Sequence, residues 1–247
     1  MTERRASWTV GKRIKDRPRV NLYCFPHSGG LAGEYVRWGG HLPGVQVRGM
    51  SLPGRGPRLA EPALTDLGPL VGSLVDDTEF EPPFVLFGHS LGALLAFETA
   101  RELRERGRPQ PERLIVSAHS APSVPRGRSD WHTLPDGELL EVLTDSYDGI
   151  PSEIAADSDV IALVLPALRA DLALLEGYDY RPGEPLGMPV DAFVADGDVV
   201  TVGQVEPWGD LTTGEFTIHH FPGRHFYFRE FPIHSALEAL LGRDDLA

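Results

Sequence analysis

PFVLFGHSLGALLAFETARELRER, residues 83–106, is the stretch that decides the fold. Its first five residues form a short apolar run with two aromatic residues and one β-branched residue, the composition of a buried strand. Its last sixteen place Leu91, Leu94, Leu95, Glu98 and Glu102 at helical spacing and stop before Gly107 and Pro109. Between the two lies Gly88-His89-Ser90-Leu91-Gly92, a G-x-S-x-G pentapeptide with a strand directly before it and a helix directly after. A backbone that doubles back this tightly leaves no room for side chains, hence the glycines. The expectation is a nucleophile elbow with Ser90 raised above a sheet. The Leu91 N–H, at the helix N-terminus, then points at a developing oxyanion. His89 points away from Ser90 in such a turn and is read as a structural residue.

Outward from the elbow, further strand-like runs fall at 20–25, 45–50, 113–118, 189–195 and 215–221, with helical patterns at 64–78 and 233–241. Alternation of this kind predicts βαβ crossovers and a mostly parallel sheet flanked by helices, an α/β fold of α/β-hydrolase type. About seventy residues separate the runs at 113–118 and 189–195, too many for an unstructured loop in a compact domain. Helical patterns at 136–147 and 159–177, the second containing Pro166, predict a helical lid inserted over 122–188, with Pro/Gly-rich flanks as hinges. The length suits a single domain over 1–247.

A serine hydroxyl needs a base, and in this fold acid and base follow it in chain order. His219 and His220 lie inside a strand run and His234 inside a helix, whereas His225 follows Pro222-Gly223-Arg224 in a turn, so His225 is the expected base. The acid belongs after the preceding strand, where Asp196-Gly197-Asp198 offers two carboxylates. Aspartate before glycine suits a turn, which favours Asp198 and leaves Asp196 as the alternative. The Gly-rich loop Phe25-Pro26-His27-Ser28-Gly29-Gly30 should supply a second oxyanion donor, the Ser28 N–H, with His27 fixing the loop.

A formal charge of −13 excludes nucleic acid as the main partner. Charge is uneven, however. Residues 1–19 hold seven Arg or Lys against Glu3 and Asp16, read as a solvated terminus, with a docking arm as the alternative. The chain shows neither a run long enough to span a bilayer nor the apolar core of a signal peptide, so a cytoplasmic protein with no membrane partner is expected. Cys24 sits in an apolar strand run and is read as a buried thiol. No clustered Cys/His set suggests a metal, and a serine triad needs neither metal nor cofactor.

Taken with Leu52-Pro53-Gly54-Arg55-Gly56, Ala167-Leu168-Arg169-Ala170-Asp171 and Pro222-Gly223-Arg224-His225-Phe226, the elbow and the loop at 25–30 closely resemble the type II thioesterases. These are free-standing editing enzymes of polyketide synthases and nonribosomal peptide synthetases. The resemblance implies hydrolysis of acyl groups from the phosphopantetheine arm of acyl or peptidyl carrier proteins, beneath a mobile lid. It implies Ser90, Asp198 and His225 as triad and the Ser28 and Leu91 N–H groups as oxyanion donors. Ser28 replaces the alanine more usual in that loop, and Val194-Ala195 replace the usual glycines before the acid. An intracellular carboxylesterase or lipase would share the triad and is the alternative. Carrier proteins are generally acidic, so docking on an acidic body needs local cations, and Arg55, Arg126 and Arg128 are the candidates.

Overall fold

The computed structural model describes residues 7–125, 127, 129–147 and 158–242. In chain order its strands and helices are β1 (Thr9–Val10), β2 (Val20–Phe25), α1 (Ala32–Val36), β3 (Val45–Met50), α2 (Leu67–Asp77), β4 (Phe84–His89) and α3 (Leu91–Glu105). They continue with β5 (Arg113–Ser117), α4 (Asp136–Tyr147), α5 (Ser158–Glu176), β6 (Val190–Ala195), α6 (Val202–Val205), β7 (Phe216–Phe221), α7 (Tyr227–Glu230) and α8 (His234–Leu241).

One sheet runs in the order β1-β3-β2-β4-β5-β6-β7. Its strands are parallel except β1, which pairs antiparallel with β3. Every residue of β2, β4, β5 and β6 is buried, as expected for parallel strands covered on both faces. The two-residue period divides them. Tyr23, Phe25, Phe84 and Leu86 pack on one face with the apolar stripes of α2 and α3, while Leu22, Cys24, Val85 and Phe87 pack on the other with α1 and α8. Burial raises the Cys24 thiol pKa and keeps it protonated. Six parallel strands therefore end on one edge, where an open α/β sheet carries its binding crevice.

The structure differs from the sequence reading at the N-terminus. Residues 11–19 are mostly exposed, as expected, but residues 8–10 are not a solvated arm: Trp8 is buried, its indole N–H donates to Asp77 at 3.3 Å, and Arg58 stacks over its ring at 3.9 Å. Burial of the Trp8 indole and pairing of β1 with β3 outweigh the surrounding charge. Residues 1–6 lie outside the description.

Between β5 and β6, α4 and α5 build a core of their own from Leu139, Leu143, Leu165, Leu168 and Leu172. Pro166 lies inside α5 without ending it. Among the described residues no helix is long and apolar enough to cross a membrane.

Candidate active site

Ser90 stands between the last residue of β4 and the first of α3 with φ 53° and ψ −121°, a strained conformation for a residue with a side chain. Its neighbours allow it. A Cβ on Gly88 would lie 2.0 Å from the Gly92 carbonyl oxygen, and one on Gly92 would lie 2.1 Å from that of Phe25, so neither position admits alanine without movement of backbone. The Ser90 N–H bonds to the Ser117 carbonyl at 2.8 Å, which ties the elbow to β5.

His225 follows β7 through a turn in which Gly223 has φ 102°. Its ring is buried, and Nδ1 donates to Asp198 at 2.9 Å and 3.1 Å, with the Asp198 side chain 1% exposed. The Gly197 N–H bonds to the Gly223 carbonyl at 2.9 Å, holding the loop after β6 against the loop after β7. Asp196 faces outward instead. Its side chain is 71% exposed and meets His220 at 3.4 Å. Ser90, Ser28 and His225 line one cavity of about 640 Å³.

The loop after β2 closes with the Gly30 N–H on the His27 carbonyl at 2.8 Å, and Gly29 takes φ 72°. The Ser28 N–H has no protein acceptor among the described residues. Leu91 opens α3, where first-turn N–H groups lack intrahelical acceptors. Ser28 and Ser90 line the same cavity, and an N–H without a protein acceptor is open to an anion.

Two further histidines lie close by. His27 lines the cavity, bonds Tyr35 Oη through Nδ1 at 3.0 Å and accepts from Arg229 on Nε2 at 3.3 Å. Burial, then the Arg229 charge, hold its pKa well below the usual value. His89 is fully buried and bonds Ser117 Oγ at 2.8 Å, which in turn meets Tyr227 Oη at 2.6 Å. Burial and the His225 charge lower its pKa strongly too. Both rings are neutral spacers that seat the loop and the elbow, as their sequence positions suggested.

The cavity's other wall is apolar. It comes from α4 and α5, through Leu140, Leu143, Ile161, Val164 and Leu168. At its rim stand Leu31 and Leu59, 51% and 46% exposed, and Arg37, which makes no ion pair among the described residues. Among those residues no group of three or more His, Cys, Asp or Glu could hold a metal ion.

Arg55 is not the surface cation that its loop position suggested. It is buried and forked onto Asp171 of α5 at 2.5 Å and 2.6 Å. Arg126 and Arg128 lie outside the described residues. Sequence reasoning also missed Glu176, at the end of α5, which accepts from Ser129 Oγ and the Trp131 N–H, both at 2.7 Å, and from His132. Asp171 stands in one of the motifs that carry the resemblance, but neither it nor Glu176 shows its partners locally, because those lie far along the chain.

A thioesterase domain model matches residues 20–242. The chain is 34% identical over 227 residues to the gramicidin S biosynthesis protein GrsT of Aneurinibacillus migulanus, covering 90% of this chain and 88% of that one. It is 38% identical over 216 residues to the thioesterase PikA5 of Streptomyces venezuelae, covering 85% and 76%. Among solved structures, the RedJ thioesterase from the prodiginine pathway of Streptomyces coelicolor superposes with a TM-score of 0.83 at 40% identity, covering 91% of this chain and 85% of that one. The type II thioesterase BorB from the borrelidin cluster superposes at 0.81 and 35%, covering 97% and 96%.

Proposed function

The chain belongs to the thioesterase family and is a hydrolase of thioesters, and from that premise we propose how its residues carry the reaction. Ser90 is the nucleophile, His225 the base and Asp198 the acid. Ser90 Oγ attacks the thioester carbonyl while His225 Nε2 takes its proton, and the oxyanion that forms is held by the Ser28 and Leu91 N–H groups. The C–S bond then breaks, the thiol leaves with the proton from His225, and an acyl-Ser90 ester remains. Water, deprotonated by the same nitrogen, releases the acid and restores the serine. Asp198 keeps the proton on Nδ1 throughout and stabilises the imidazolium. The observation that supports this most is the buried Asp198–His225 pair opening onto the same cavity as a serine in an elbow.

The acyl group is delivered on the phosphopantetheine arm of an acyl or peptidyl carrier protein in the cytoplasm, where the enzyme clears chains from a polyketide or nonribosomal-peptide assembly line. In this reading the whole chain is one α/β-hydrolase domain, and residues 122–188 form its lid, since α4 and α5 provide the apolar wall opposite the serine. The arm ends in a phosphodiester on an acidic carrier, and Arg37 on the rim is a cation free to meet either.

The test compares kcat/KM for one acyl chain on its carrier protein, on pantetheine and as a simple ester. Turnover should fall in that order, and Ser90→Ala should lose roughly 10³-fold or more of kcat on each. Arg37→Glu should lower the carrier value several-fold and leave the pantetheine value unchanged. Equal values for the three substrates would instead identify a general carboxylesterase. Turnover surviving in folded Ser90→Ala would remove the serine mechanism.

A further inference from the structure

Asp171 is a charge at the heart of the molecule that the reaction just described does not use. Its carboxylate is 1% exposed and accepts three hydrogen bonds, from the Gly29 N–H at 2.7 Å and from both Arg55 terminal nitrogens at 2.5 Å and 2.6 Å. The Arg55 side chain is 8% exposed. As a source of stability such a pair is poor, because desolvating both charges offsets most of their attraction and an apolar pair of the same volume does as well or better. What the pair supplies that an apolar contact cannot is direction.

Three segments meet at this carboxylate: the loop after β2 through Gly29, the loop after β3 through Arg55, and α5 through Asp171 itself. The peptide group joining Ser28 to Gly29 is planar, so holding the Gly29 N–H also fixes the Ser28 carbonyl and the ψ angle of Ser28. On the other side the Gly30 N–H is held by the His27 carbonyl. Ser28 is thereby clamped between two fixed peptides, and the direction of its own N–H follows. The Gly29 conformation, φ 72°, is one that the loop needs help to keep, since glycine has the widest choice of alternatives. Arg55 contributes a second effect. Without it, the Asp171 charge would repel an oxyanion forming at the same loop, and in a buried site that repulsion is weakly screened.

We propose that Asp171 and Arg55 are positioning residues for the oxyanion loop, and that the loop is competent only while α5 is seated against it. Seating of α5 thus licenses the chemistry as well as enclosing the acyl chain. This rests on the assignment of the Ser28 N–H as an oxyanion donor.

The experiment measures kcat and KM on an acyl-pantetheine, the rate at which a fluorophosphonate labels Ser90, and the thermal midpoint. Asp171→Asn keeps the volume but offers one acceptor oxygen in place of two. It should lower kcat and labelling by about 30-fold or more, approaching the loss of one oxyanion donor, with KM changed less than about threefold. The double variant Arg55→Met/Asp171→Leu removes both charges and should stay folded with a midpoint near wild type, yet be as slow. Arg55→Lys keeps the charge and one of the two forked bonds, so it should fall between wild type and Asp171→Asn. A double variant that folds and retains kcat within about threefold overturns the proposal, as does a loss confined to KM. Should neither of those variants fold, an unchanged kcat in Arg55→Lys overturns it. Failure of the serine mechanism is separately visible, as turnover in Ser90→Ala; failure of this proposal leaves Ser90→Ala inactive and Asp171→Asn fully active.

Discussion

Asp196 and Asp198 stand two positions apart on one loop and meet opposite surroundings. The turn that begins at Ala195 sends Asp196 to solvent and returns Asp198 to His225. Asp198→Asn should therefore cost about 10³- to 10⁴-fold in kcat, by leaving His225 in the wrong tautomer, whereas Asp196→Asn should leave kcat within about threefold. Steady-state kinetics on one acyl-pantetheine decide this, and a reversed order would transfer the acid's role to Asp196. The buried histidines make a different prediction, about stability. His27 and His89 have folded-state pKa values pushed below the unfolded value near 6.5. Above pH 6.5 both are neutral in either state and impose no cost. Below it the unfolded chain takes up protons that the folded one refuses, so stability falls with pH until the lowered values are reached, by up to about 1.4 kcal/mol per unit for each ring. Urea unfolding at pH 7.0, 6.0 and 5.0 should show that decline, and it should be shallower in His89→Gln.

At the scale of elements, the elbow brings the backbones of a strand and a helix into direct contact. The carbonyl oxygens beneath Gly88 and Gly92 belong to α3 and β2, which cannot withdraw without breaking sheet and helix bonds. Gly92→Ala should thus destabilise by about 3 kcal/mol or more, at or beyond the upper end of overpacking. Gly137→Ala, in the first turn of α4 with open space around its Cβ position, should instead stabilise by up to about 1 kcal/mol through helix propensity. Urea midpoints of the two variants test the contrast; a tolerated Gly92→Ala would mean that the elbow has slack. The same local logic explains which elements were legible. Strands expected at 20–25 and 45–50 and the helix expected at 136–147 occur with those boundaries, and α3 ends one residue earlier than its pattern. Each is written in a run of at least six residues with a strand or helix signal of its own. β1, α6 and α7 have two to four residues, too few for a period to appear, and they exist because a neighbour completes them.

For the whole molecule, the division between legible and hidden follows sequence distance. The parallel sheet, the turn that carries Ser90 and the helical content of the region between β5 and β6 were readable because each is written in a contiguous run of residues whose spacing or composition has one stable solution. The preference for Asp198 over Asp196 came from turn chemistry, and the geometry places Asp198 at His225. Other features were decided only when distant segments met. Arg55 and Asp171 are 116 positions apart, and nothing near either one shows that an exposed-looking arginine in a glycine-rich loop will be buried against α5. Trp8 looked like part of a charged arm until β3, Arg58 and Asp77 closed around it. The physical reason is common to both cases. Local pattern determines which face of an element seeks burial, whereas the partner that satisfies a buried charge or covers an indole is chosen by the packing of elements, and that choice exists only in the folded chain.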